Sequence, residues 1–199
     1  WPGRGGRALY GGVMTSPRTV RRIVSLVPSL TEAVAATCPS LLVGVTDWCT
    51  HPEGLEVTRV RGTKNPDLDR IAALAPDLVL ANEEENREPD LTALRERGIA
   101  VWVTHIRTLD EAFTELDRML REACGLPRPR WLDEAEAAWR NLPAPDVRRR
   151  AVIPIWRRPW MVVGRDTFAG DVLARLGVDN IYADHAERYP KIPLDELRA

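Results

Sequence analysis

The chain has 199 residues, 44% of them hydrophobic, with 28 basic and 29 acidic side chains and a formal net charge of -1. Such a length can bury roughly 70% of its unfolded surface, enough for one large or two small cores, and the balanced, interspersed charge excludes the electrostatic footprint of a nucleic-acid or anionic-membrane binder. No stretch reaches the ~18 apolar residues of a membrane span, and three cysteines without a CxxC pair give neither a disulfide framework nor a structural zinc site.

Residues 1–19 are rich in Gly and Arg, lack the apolar core of a signal peptide, and are expected to be disordered, with Met14 a candidate start. Ile23 to Val27 then reads as a strand, and Ser29-Leu30-Thr31-Glu32 as a capping box opening a helix to about Ala36. Leu41 to Thr46 is a second strand that empties into the polar-aromatic loop Asp47-Trp48-Cys49-Thr50-His51-Pro52. Asn65 before Pro66 predicts an N-cap with proline at N1, for a helix that stops before Pro76. Leu78 to Ala81 is the next strand and runs into Asn82-Glu83-Glu84-Glu85-Asn86; Pro89 opens a helix that ends at Gly98. Ile99 to Val103 is a strand, and Thr108-Leu109-Asp110-Glu111 a capping box for a helix ending at Gly125. This alternation, with short apolar strands and no hairpin signal, predicts an α/β fold with a parallel sheet covered on both faces.

After Pro127 and Pro129, Trp131 to Leu142 has apolar residues at helical spacing and reads as a connector. Ala151 to Trp156 begins a second α/β series, with a helix from Thr167 to Leu176 and a strand at Asn180-Ile181-Tyr182. The phrase Pro66-Asp67-Leu68-Asp69 returns loosely at Pro193-Leu194-Asp195-Glu196, but Ala199 comes before any following strand, so the second lobe is expected to be incomplete and partly unstable. The division is therefore 1–19, 20–126, 127–145 and 146–199: a disordered segment, an α/β lobe, a connecting helix and a second α/β lobe.

In a parallel sheet the residues that follow each strand share one edge, where ligands bind. That edge should gather Ser29, Trp48, His51, Glu84, Glu85, Asn86 and His105, with Trp156, Arg157, Arg158 and Trp160 arriving from the second lobe. Indole faces suit a broad, flat, partly apolar ligand. Each residue has a plainer reading: Trp48 as core filler, His51 as a hydrogen-bonded loop residue, residues 83–85 as a solvated face. No nucleophile elbow, P-loop, dinucleotide fingerprint or H-E-x-x-H motif is present, so no catalytic constellation or catalytic cofactor is indicated.

Arg22-Ile23-Val24-Ser25-Leu26-Val27-Pro28-Ser29-Leu30-Thr31-Glu32, Lys64-Asn65-Pro66-Asp67-Leu68-Asp69-Arg70-Ile71, Pro76-Asp77-Leu78-Val79-Leu80 and Leu176-Gly177-Val178-Asp179-Asn180-Ile181 resemble the iron-chelate/vitamin B12 class of substrate-binding proteins, the helical-backbone metal receptors. The resemblance implies two Rossmann-like lobes bridged by one helix with the ligand cleft between them, and a monomer that delivers cobalamin or a ferric chelate to an ABC permease from an extracytoplasmic position. It implies that Trp48 packs on the chelate and that Asp69 docks on the permease. His51 is a candidate axial cobalt ligand. Two further readings accompany this one: a cytoplasmic corrinoid-binding sensor of the same fold, and a metal-dependent hydrolase using residues 83–85 with His51 or His105.

Overall fold

The computed structural model describes residues 19–198; the expected disorder of the first 18 residues and the start at Met14 lie outside the described residues. Strand β1 (Ile23–Ser25) leads into helix α1 (Pro28–Thr37), and β2 (Leu42–Val45) and β3 (Thr58–Arg59) follow. A small pair, β4 (Arg61–Gly62) and β5 (Asn65–Pro66), precedes α2 (Leu68–Ala73) and β6 (Leu78–Asn82). Then come α3 (Glu88–Glu96), β7 (Val101–Thr104) and α4 (Leu109–Arg118), which continues as a π-helical turn over Met119–Ala123.

Five strands form one sheet in the order β3-β2-β1-β6-β7, every neighbouring pair parallel. Side chains alternate across it, as the two-residue period of a strand requires. Ile23, Leu78 and Leu80 join Leu30, Val34, Met119 and Leu120 on one face. Val24, Val79 and Ala81 join Ile71, Leu91 and Leu94 on the other. Both faces are therefore dry, the condition for a parallel sheet. The chain lays β2 and β3 on one side of β1, then returns to lay β6 and β7 on the other. That reversal opens a crevice beyond the carboxyl ends of β1 and β6.

Local chemistry sets several boundaries, and two of them, the starts of α1 and α2, differ from expectation. Helix α1 starts at Pro28, whose fixed φ suits the first turn, so Val27 is the N-cap and Ser29 makes no capping bond. Asn65 and Pro66 form a strand instead of a cap: they pair antiparallel with Arg61 and Gly62, where any Cβ at residue 62 would strike Asn65 Oδ1. Asp67 caps α2 by accepting from the Arg70 amide at 3.0 Å. This hairpin also corrects the expectation that none exists. The expected box on α4 is present in both directions, with Thr108 Oγ1 accepting from the Glu111 amide and Glu111 Oε2 from the Thr108 amide, each at 3.1 Å.

Helix α5 (Arg130–Arg140) returns along the first sheet, burying Leu132 and donating from Trp131 Nε1 to Thr37 Oγ1 at 3.0 Å. Beyond it the chain forms β8 (Arg149–Ala151), β9 (Pro154–Trp156), β10 (Met161–Val162), α6 (Phe168–Arg175) and β11 (Val178–Asn180). The stretch expected as one strand from Ala151 is thus divided: β8 pairs parallel with β11, while β9 turns back antiparallel on β10. The closing strand is Val178–Asn180 and starts at Val178 instead of Asn180, because Gly177 at φ +82° ends α6 and leads directly into it. No helix of the described residues is long and apolar enough to cross a membrane.

Candidate functional site

The crevice predicted by the strand order is a cavity of about 610 Å³. Its floor is the start of α1, with Val27, Pro28, Ser29 and Leu30 arriving from the end of β1. Trp48 enters from the loop after β2, and Asn82, Glu84 and Glu85 from the end of β6. Ile106, Ala112 and Leu116 form an apolar wall along α4, and Phe168 enters from the first turn of α6. Apolar walls with a few convergent polar groups are what a small-molecule site needs.

Trp48 keeps 67% of its surface exposed, and its loop is nevertheless fixed. Arg59 Nη1 donates to the carbonyls of Thr46 (3.0 Å) and Cys49 (2.7 Å). Cys49 turns inward, its sulfur meeting the hydroxyls of Thr31 and Thr46 at 3.1 Å each, so it is a core thiol. The same turn carries His51 outward into solvent, away from the cavity walls.

The acidic run divides its work. Asn86 is buried and structural: its Oδ1 accepts from the Asn82 amide (3.0 Å) and its Nδ2 donates to the Thr63 carbonyl (3.0 Å). Glu83 lies against His105 Nδ1 (3.0 Å) and Arg107 Nε (3.5 Å). The hydrogen bond from His105 holds its carboxyl below the usual range, over the opposing effect of burial. Glu84 accepts from the Tyr189 hydroxyl at 2.9 Å and pairs with Arg188, both from the far end of the chain. Burial, and then Glu84, pushes the Tyr189 phenol up to about 12.

Of the residues expected at this edge, Ser29, Trp48, Glu84 and Glu85 line one cavity. Trp156, Arg157 and Trp160 do not: the β9–β10 hairpin leaves Trp156 63% exposed elsewhere, and the Arg157 guanidinium stacks over Trp160 at 5.9 Å. Of the residues named for a hydrolase, Glu83 meets His105 while Glu84 faces Arg188 and Tyr189, and no group of three or more His, Cys, Asp or Glu among the described residues could hold a metal ion. Phe168 and Thr63 were missed by sequence reasoning. The only signal for Phe168 was its place just after Thr167, the N-cap of α6, in the turn that follows Gly164.

No family model matches the chain. It is 26% identical over 196 residues to the vitamin B12-binding protein of Vibrio cholerae, a match covering 93% of this chain and 69% of that one. Among solved structures, the periplasmic vitamin B12 binding protein of Vibrio cholerae superposes with a TM-score of 0.69 at 22% identity, over 89% of this chain and 72% of the other. A periplasmic haem-binding protein from Pseudomonas aeruginosa gives 0.71 at 27% identity, over 89% and 68%. In sequence and fold alike, the chain resembles the iron-chelate/vitamin B12 class of substrate-binding proteins.

Proposed function

We propose that the chain is a receptor for a broad, flat metal chelate, a corrinoid first among them, which it delivers to an ABC importer outside the cytoplasm. One observation carries the reading: an indole two-thirds exposed, on a loop pinned by Arg59, at an apolar-walled cavity where the strand order reverses. A ring held rigidly in water is set to stack, and covering it can bury roughly 150–250 Å² at little entropic cost. Relatives named for vitamin B12 and haem supply the chemical class. In this reading residues 20–126 form the first lobe, 127–145 the connector and 146–199 the second lobe, with Ser29, Trp48, Glu84 and Glu85 facing the ligand. Asp69, its side chain 90% exposed in the first turn of α2 and paired with Arg97 at 2.8 Å, is assigned to docking on the permease.

The test is a titration with cyanocobalamin, and with haemin as second probe, followed by tryptophan fluorescence and calorimetry. Micromolar or tighter cyanocobalamin binding that weakens at least tenfold in Trp48→Ala supports the corrinoid; binding of haemin alone moves the ligand to porphyrins. No binding of either removes the receptor reading.

A further inference from the structure

Among the described residues, two sets of polar contacts join the first sheet to the residues beyond α5, and they differ in kind. At one, the Leu109 amide donates to Asp171 Oδ2 (2.8 Å) and Arg175 reaches Asp110 (3.0 Å), where α4 packs on α6. The other is Glu84 with Arg188 and Tyr189. We propose that this second contact is a releasable clasp across the cleft, with Glu84 the residue whose loss frees that end, while the α4–α6 contact acts as the pivot.

Glu84 is held on the first side. Its amide donates to Asn82 Oδ1 at 2.9 Å, and Lys64 Nζ donates to its carbonyl. Arg188 and Tyr189 are held on the second: Arg188 Nε donates to the Asp166 carbonyl (2.9 Å), and the carbonyls of Arg188 and Pro190 accept from the amides of Gly164 (2.7 Å) and Val162 (3.1 Å). Gly164 lies so close to this segment that a Cβ there would overlap the Glu187 carbonyl. Each half of the clasp is therefore fixed to its own body, so separating the bodies at this end must break the contact between them.

The chemistry of the contact makes it releasable. Glu84 Oε1 and Arg188 Nη2 are buried atoms with no hydrogen-bond partner beyond their own ion pair. Taking both charges out of water costs nearly what their attraction returns. Opening re-solvates both groups together, whereas removing one strands the other. A contact with that balance sets a geometry without locking it. Because Glu84 also lines the cavity, the clasp stands at its edge, beyond the end of β6.

Backbone hydrogen exchange of the full chain tests this without any ligand. With the clasp broken, the segment around Arg188 and Tyr189 keeps only its ties to the second body and is no longer braced by the first. Glu84→Gln and Arg188→Gln should therefore each speed local opening at the Gly164 and Val162 amides by about tenfold, with the Leu109 amide at the pivot unchanged. The exchanged pair Glu84→Arg with Arg188→Glu should return both rates to within about twofold of the native chain, as coupled neighbours do. Tyr189→Phe, which removes only a hydroxyl, should give a smaller acceleration at the same amides. The proposal is overturned if neither single substitution speeds exchange, if Leu109 accelerates equally, or if the charge swap adds the two defects instead of cancelling them. With cyanocobalamin as probe, Glu84→Gln should raise the association rate about fivefold, as expected when a closing step is relieved. Failure of every variant to bind it would dismiss the corrinoid and leave the exchange result standing.

Discussion

The first sheet and the segment beyond α5 are built from similar local elements but hold together differently. Among the described residues, thirteen buried hydrophobic residues sit on one face of the five-stranded sheet and eight on the other, whereas the small cluster of the later segment has three: Val162, Tyr182 and Ile192. There, strands pair only in twos, and Leu142, Val147, Ile155, Trp156, Leu176, Ile181 and Leu194 are exposed. Strand and helix propensity thus suffice to make a β-α-β unit, but only a continuous sheet gives each strand two dry faces. Lacking that, the later segment leans on polar ties: Asn180 Nδ2 to the Val163 carbonyl (2.8 Å), Arg148 to Asp179, and the clasp at Glu84.

The largest test of this contrast is a matched pair of truncations. Leu80, fully buried on a central strand, should cost about 2–5 kcal/mol on change to alanine, the range for a cavity that cannot collapse. Ile192, buried in the three-residue cluster beside half-buried neighbours, should cost less on the same change, about 2 kcal/mol at the bottom of that range, because its surroundings can relax. Urea denaturation followed by circular dichroism measures both. Equal losses would mean that the two regions share one cooperative core and that the contrast is false.

What was legible in the sequence divides along the same line. The Thr108–Glu111 box, the end of α6 at Gly177 and the strand at Leu78 were legible because each is fixed by bonds or patterns within a few residues. Ser29, Trp48, Glu84 and Glu85 were legible because a parallel sheet sends the residues after its strands to one edge. Trp156 and Trp160 lie outside that cavity because β9 reverses into an antiparallel hairpin, where the edge rule for parallel strands does not hold. Strand β3, two residues long and polar, carries no period to read. Phe168 and the Glu84 clasp depend on how α6 and residues 187–190 pack across 60 to 105 positions of chain, which no local pattern encodes.

A middle-sized effect should come from the cap that the two regions approach together, since α4 begins beside α6. Thr108→Ala should cost about 1 kcal/mol, and adding Glu111→Ala should cost less than the sum, because the two side chains satisfy each other's end of one box. Strict additivity in thermal melts would show the two bonds to be independent.

A smaller, pH-bound effect belongs to Glu83. Its folded pKa lies below the ordinary 4.5, so the stability it supplies is complete above that value and is lost as pH falls through the depressed folded value. The stability gap between the native chain and Glu83→Gln should therefore be constant from pH 7 down to about 5 and narrow below that. A gap that stays level down to pH 3 would separate Glu83 from the acid response.

The smallest expected change in stability, and the one that most sharpens the contrast between fold and site, is at Trp48. Most of its indole touches no protein, and its loop is held by Arg59 and by the Cys49 sulfur between two threonine hydroxyls. Trp48→Ala should shift the unfolding midpoint by no more than surface substitutions do, within about 0.5 kcal/mol, while removing the stacking face from the cavity. Arg59→Ala should do the converse: it leaves the indole in place but frees the loop, so cyanocobalamin affinity should fall through faster dissociation while the ligand still quenches Trp48. If Trp48→Ala instead destabilises the chain as much as a core truncation, the indole is packed filler, and the cavity loses the residue that marks it as a binding site.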